Sequence, residues 1–208
     1  TFQKIERNPY ELLRGKFKRG DRETMDYLTD EEMEAFESIH PLRGSVMDVA
    51  HDLFVFQMYT GLSYGDMQAF DIKNYRLVDG AWRNVGERIK TGVPYVSRLL
   101  SPAVAILEKY GYHAPYTGDI NNYNSYLHQL LYYIGEEFLD DVYMDNKING
   151  VITRETKRRY QLISSHSARR SFATINTLRN IPRSKILRAT GHSSEKAFVR
   201  YICYDEEN

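Results

Sequence analysis

Tyr75-Arg76-Leu77-Val78-Asp79-Gly80-Ala81-Trp82-Arg83-Asn84-Val85 is where an otherwise helical chain changes its period. Two short runs carrying Tyr, Val and Trp flank Asp79-Gly80, and an Asp-Gly pair between such runs predicts a tight antiparallel hairpin. Lys90-Thr91-Gly92 supplies a second turn, and Pro94-Tyr95-Val96-Ser97-Arg98-Leu99-Leu100 resumes the extended pattern. The stretch 75–100 therefore predicts a three-stranded antiparallel sheet.

On its N-terminal side the chain reads as helix. Thr29 followed three residues later by Glu32 is a capping box, so a helix is expected to about Ile39, before Pro41. From Ser45 to about Tyr59 almost every residue is apolar, which predicts a buried central helix ended by Gly61. A short helix starting at Ser63 or Tyr64 carries Asp66, Met67 and Phe70. On the C-terminal side everything after Pro102 is expected to be helical, over 102–110, 121–138, 166–179, 182–190 and 194–202. Asp145–Lys157, with Asn149-Gly150, reads as a loop or small hairpin. The fold class is α+β, mostly helical, with one small three-stranded sheet. Residues 1–27 read as an interdomain linker or arm, and 28–208 as a single domain.

Composition narrows the class of function. The chain has 208 residues, 42% hydrophobic and 27% charged, enough for a real core. No apolar run approaches the roughly 20 residues of a membrane span, and the N-terminus lacks the pattern of a signal peptide. The first residue is Thr, so an excised or processed chain is expected. A single cysteine, Cys203, allows no internal disulfide and suits a reducing compartment. Net charge is +0, from 28 basic and 28 acidic residues, and so decides nothing about nucleic acid. Its distribution is uneven: Arg154, Lys157, Arg158, Arg159, Arg169 and Arg170 stand against the single acid Glu155 within 154–170. A basic C-terminal half can face phosphates while the acidic segments face elsewhere; on charge alone, a solvated charged face is the favoured reading.

Ser164-Ser165-His166-Ser167-Ala168-Arg169-Arg170 presents His166 and Arg169 three residues apart on the first turn of a helix. A guanidinium gives a two-pronged hydrogen bond to a phosphate, and the N–H groups of a helix start add to it. Thr190-Gly191-His192 places a second histidine at a junction between two helices, because Gly191 is suited to end the first of them in a left-handed turn. No Cys or carboxylate has the spacing that would make these histidines a zinc site. Tyr201 follows His192 on or just after the last helix, one of 17 tyrosines.

Taken in order, these segments resemble the catalytic domain of the tyrosine recombinases, the phage-type integrases, most closely those of bacterial mobile elements. The matching segments are Tyr59-Thr60-Gly61-Leu62, Lys90-Thr91-Gly92, His166-Ser167-Ala168-Arg169, Thr190-Gly191-His192-Ser193-Ser194 and Tyr201. The resemblance covers about residues 28–203. It implies that Tyr201 attacks a DNA phosphodiester to leave a 3′-phosphotyrosyl link and a free 5′-hydroxyl, which after strand exchange reverses the step without ATP, metal or cofactor. It further implies Arg169, His192 and His166 around the phosphate, His166 with the proton role, and Lys90 as general acid. Arg170, Lys157, Arg158 and Arg188 are expected to bind DNA. The implied partners are double-stranded DNA and further copies of the chain, as a tetramer on DNA. The implied location is the cytoplasm, on DNA and away from membranes, and the implied outcome is integration or excision of a mobile element.

One position departs from the pattern. Where the family carries its first arginine, after Leu62, this chain has Ser63, while Asp66 matches the acidic position three residues on. A serine brings one hydroxyl and no charge. The site is rebuilt around another cation (Arg43, His51, Arg76 and Arg98 are the candidates), or the protein is a catalytically weak DNA-binding relative, or the serine is an engineered substitution. A helix-turn-helix regulator over 166–190 is a further alternative, against which the sheet at 75–100 argues.

Overall fold

The Asp79-Gly80 turn closes as its sequence predicts: both residues have positive φ, 51° and 70°, the conformation a two-residue type I′ hairpin requires. In this computed structural model, which describes residues 27–148, 151–199 and 202, the turn joins β1 (Tyr75–Val78) to β2 (Ala81–Glu87), and β3 (Pro94–Arg98) completes the sheet in the order β1-β2-β3. All pairing is antiparallel, with Leu77 opposite Trp82 and Val85 opposite Val96. The expected arm up to Asp26, Tyr201 and Cys203 lie outside the described residues.

Eight helices are present among the described residues. α1 (Asp30–Ser38) opens on the Thr29–Glu32 capping box, and α2 (Val46–Thr60) on Ser45, whose hydroxyl accepts from Asp48 N. α2 is the central helix: Leu53, Phe54, Phe56 and Met58 are buried, each contributing about 1.5–3 kcal/mol on leaving water. α3 (Tyr64–Gln68), α4 (Ser101–Lys109) and α5 (Ile120–Ile134) follow, then α6 (Ser165–Leu178), α7 (Arg183–Thr190) and α8 (Glu195–Val199). α6 lies against α2 with the Phe172 ring seated on Gly61, so close that a Cβ there would stand 2.6 Å from Phe172 Cδ1.

The region after Pro102 is not all helical between its helices. Where a loop or small hairpin was expected, β4 (Asp141–Ile148) and β5 (Val151–Arg158) form a hairpin of two eight-residue strands. The expected helix 121–138 ends at Ile134, and a 3-10 turn covers Glu136–Phe138. Gly135, with φ 109°, separates them. The entry to the domain is fastened from behind: Arg159 pairs with the Glu32 carboxylate and donates to Tyr27 O at 3.1 Å, and Leu28 N donates to Ser171 Oγ at 2.7 Å. Among the described residues no helix is long and apolar enough to cross a membrane.

Candidate active site

Three chain reversals converge on one point: the C-terminal ends of α2 and α7 and the turn between β2 and β3. Gly61 and Gly191 end α2 and α7 in left-handed conformations, with φ 68° and 61°. Each leaves carbonyls of the last turn facing the junction, the negative pole of its helix. Arg169, on α6, answers both. Its Nη1 donates to Gly61 O at 2.5 Å and its Nη2 to Thr190 O at 2.6 Å, in a side chain 1% exposed. The helix that carries it is fixed at its start by Asn124 Oδ1, which accepts from Ser165 N at 3.0 Å.

Arg88 enters the same junction from the β2–β3 turn. Its Nη1 donates to Thr190 O at 2.9 Å, and its Nε lies 2.5 Å from Asp66 Oδ2. The aliphatic stem runs over Gly191, where a Cβ would stand 2.7 Å from Arg88 Cγ. The turn is closed by Arg88 N donating to Val93 O at 2.9 Å and Gly92 N to Arg88 O at 2.7 Å. Ile89 N donates to Asp66 Oδ1 at 2.9 Å, so Asp66 holds the turn through both carboxylate oxygens. Lys90 is exposed at the tip.

Ser63 is the N-cap of α3 and donates to Asp66 Oδ2 at 2.5 Å, the same oxygen that Arg88 Nε approaches. One carboxylate thus joins the position that lacks an arginine to an arginine from another segment. None of the four cations proposed from sequence stands there. His51 is buried on α2, its Nε2 against Phe36 O at 2.9 Å. Arg76 Nε donates to Lys73 O at 2.8 Å, Arg43 is exposed before α2, and Arg98 lines a groove elsewhere. Arg88 was legible only as a basic residue two places before Lys90. The signal for it is the unanswered carboxylate of Asp66, which needs a cation once buried to 3% exposure.

His192 stands at the end of α7 with Nδ1 2.6 Å from Thr190 Oγ1 and its ring edge on Phe198. Arg169 Nη2 lies 3.4 and 3.5 Å from its two nitrogens. Burial, then the charges of Arg169 and Arg88, push the His192 pKa down to about 3, so the ring is neutral at neutral pH. His166 is exposed at the rim, and its pKa is lowered by loss of solvent on its protein-facing side and by Arg170, Arg169, Arg88 and Lys90. Its ring borders a cavity of about 550 Å³ shared with Ser63, Tyr64, Tyr116 and Ser165. The structure thus brings together Arg169, His192, His166, Ser63 and Arg170 with the Lys90 turn.

The other expected DNA-binding residues lie apart. Arg158 is 3.3 Å from Asp141 and Lys157 3.4 Å from Glu155, both on the β4–β5 hairpin. Arg188 lines a groove of about 650 Å³ with Met58, Val96, Arg98, Phe172 and Ile175. The basic half of the sequence is not one basic face. Several of its cations are paired with carboxylates: Arg154 with Asp145 at 2.8 Å, Arg179 with Asp30 at 2.7 Å, Arg183 with Glu195 at 2.9 Å, and Arg159 with Glu32. Chain proximity of like charges is relieved by tertiary pairing. Among the described residues no three His, Cys, Asp or Glu side chains group as a metal site.

This arrangement, helices around a buried α2 with a three-stranded sheet whose turn reaches a His-Arg helix, is the fold of the tyrosine recombinase catalytic domain. The solved structures it matches include the XerH site-specific recombinase bound to palindromic difH substrate, at 15% identity and TM-score 0.61 over 86% of this chain and 49% of that one. The Tn1549 transposon integrase in complex with transposon right end DNA matches at 13% identity and TM-score 0.61, over 97% and 69%. A lambda integrase dimer bound to a COC′ core site matches at 14% identity and TM-score 0.52, over 88% and 49%. The chain spans about half the length of the XerH recombinase, 49% and 51% in two complexes. No protein-family model and no curated protein matches the sequence.

Proposed function

We propose that this chain is the catalytic part, residues 28–208, of a site-specific recombinase that integrates or excises a mobile element, with 1–27 linking it to the rest of the protein. The observation that supports this most is the meeting of Arg88 and Arg169 on Thr190 O beside two histidines held neutral. In the proposed reaction the Tyr201 hydroxyl attacks phosphorus and the P–O5′ bond breaks. The phenol proton passes to His166, and Lys90 gives a proton to the leaving 5′-oxygen. A phosphotyrosyl bond remains, and the 5′-hydroxyl of a partner strand attacks it to rejoin the DNA. Arg88 takes the part of the arginine that Ser63 replaces: with Arg169 it opposes the negative charge that gathers on the phosphoryl oxygens. The working form is a tetramer on double-stranded DNA in the cytoplasm.

The test is covalent capture. Incubated with DNA nicked beside the cleavage site, so that the released fragment diffuses away, the full-length protein is expected to form a denaturant-stable adduct. Tyr201→Phe is expected to form none. Binding without adduct by the parent protein overturns the proposal and leaves a DNA-binding relative.

A further inference from the structure

The cavity that His166 borders has walls that the chemistry at Arg88 and Arg169 does not use. Residues at the start of α3, in the loop before α5 and at the starts of α5 and α6 line it. Its volume, about 550 Å³, falls in the range of small-molecule pockets. The two tyrosines in its wall differ in kind. Tyr64 is fixed: its hydroxyl donates to Gly118 O at 2.7 Å and its ring packs on Tyr123, centre to centre 5.2 Å. Tyr116 is 79% exposed, an aromatic face turned to solvent. Gly65 also borders the cavity, and a Cβ there would meet nothing within 4 Å.

Among the described residues no Lys or Arg lines this cavity and Asp119 does, so its walls do not suit a phosphate. They offer aromatic surface and acceptors. Gln68 Nε2 donates to Pro115 O at 3.2 Å, which leaves its Oε1 to accept. Asp119 Oδ1 accepts from Asn121 N and Asn122 N, which leaves Oδ2. A stacking surface with acceptors at its edge fits a nucleobase that carries an amino group: adenine, guanine or cytosine. Thymine has no amino group to give.

We propose that the cavity is a subsite for the base of a nucleotide flanking the cleaved phosphate, stacked on Tyr116 and held by its amino group at Gln68 and Asp119. The proposal rests on the recombination reading. There, the strand end freed by cleavage leaves its old complement before it pairs with the new one, so a nucleotide beside the phosphate stands unpaired in between. An unpaired base has lost the stacking of the duplex, and an aromatic side chain restores part of it. His166 faces both the cavity and the charges of Arg169 and Arg88, so a base held there lies next to its own phosphate. The subsite makes the cleavage position selective against thymine.

In the test, the 208-residue chain is titrated with dAMP, dGMP, dCMP, dTMP and a deoxyribose phosphate without a base, and its backbone amides are followed by NMR. The three amino-bearing nucleotides are expected to shift the amides of Gly65, Gly118 and Ser165, while dTMP and the base-free sugar leave them in place. Tyr116→Ala is expected to weaken binding about tenfold, the scale of one lost base–aromatic stack. Gly65→Leu, whose side chain enters open space, is expected to abolish it. Tyr116 is exposed, so the alanine variant gives the answer even where the leucine variant does not fold. Cavity amides unmoved by every nucleotide overturn the proposal. So does an equal response to dTMP or to the base-free sugar, or an unchanged affinity in Tyr116→Ala. These readings need no cleavage. If the parent forms no phosphotyrosyl adduct, recombination fails while the nucleotide site stands. If the adduct forms, an abasic nucleotide beside the cleaved phosphate is expected to slow it about tenfold in the parent and not in Tyr116→Ala. Equal slowing in both overturns the subsite while recombination stands.

Discussion

Arg88 and Arg169 share one acceptor, the carbonyl oxygen of Thr190, at 2.9 and 2.6 Å. Two guanidinium groups on one atom repel, and the fold offsets that repulsion with nearby negative charge. Asp66 stands against Arg88, and the carbonyl ends of α2 and α7 face Arg169. Such a paired cation, assembled before substrate arrives, matches an anion whose charge grows during reaction, because no reorganisation is then needed.

Removing Arg88 is expected to cost about 10²–10³ in the rate of phosphotyrosyl adduct formation, the magnitude typical of a lost charge-stabilising donor. Arg98→Ala, on a side chain outside the junction, is expected to leave the rate near parent level. If Arg88 holds the place that Ser63 leaves, Ser63→Arg is expected to recover part of the loss in the Arg88→Ala background and to bring no gain alone. Alone it also removes the α3 cap, for about 1 kcal/mol of stability. Single-turnover cleavage of nicked DNA by the parent and the four variants checks both statements; an Arg88→Ala variant at parent rate refutes the assignment.

What was legible in the sequence, and what was not, follows from how far each signal reaches along the chain. Caps are local: the Thr29–Glu32 box, Gly61 and Gly191 placed the ends of α1, α2 and α7 within a residue or two. The Asp79-Gly80 turn fixed the sheet for the same reason. The β4–β5 hairpin was missed in extent because both its faces meet solvent: Tyr143, Val151 and Ile152 are 63%, 63% and 62% exposed amid charged neighbours, so no in-out alternation marks the strands. Arg88 was missed because its place depends on the sheet packing against α7, which no local pattern reports. His166, Arg169 and His192 were legible as an ordered series, but the wiring between them, through Thr190, is tertiary.

Arg159 is a stability test independent of the chemistry. It pairs with Glu32, which is 8% exposed, and the Arg159 guanidinium also lies 5.4 Å from the Phe138 ring centre. Arg159→Ala leaves a nearly buried carboxylate without its cation, and such half-pairs typically cost about 3–5 kcal/mol. A loss of about 3 kcal/mol is expected in denaturant unfolding, because one partner still meets some solvent. Removing both charges in Arg159→Met with Glu32→Gln is expected to cost less than Arg159→Ala alone. A double variant weaker than the single would show that the pair stabilises by attraction beyond mutual neutralisation.

The two site histidines also set a pH dependence whose sign can be worked out. Burial and the neighbouring arginines hold the His192 pKa at about 3 against an ordinary 6.5, and the His166 pKa is likewise lowered. Between those limits the unfolded chain binds a proton at position 192 that the folded chain refuses, so stability falls as pH falls through that window. Above about pH 6.5 both states are neutral there and the dependence from this group vanishes. Thermal melts from pH 7.5 to 4.5 are expected to show a decline that His192→Gln makes shallower, since glutamine cannot titrate. DNA should reverse the trend locally, because a phosphate beside the ring favours the imidazolium. A complex melted over the same range is therefore expected to lose less stability per pH unit than the free protein. Equal slopes for free protein, complex and His192→Gln would mean that His192 lies outside the field of the bound phosphate.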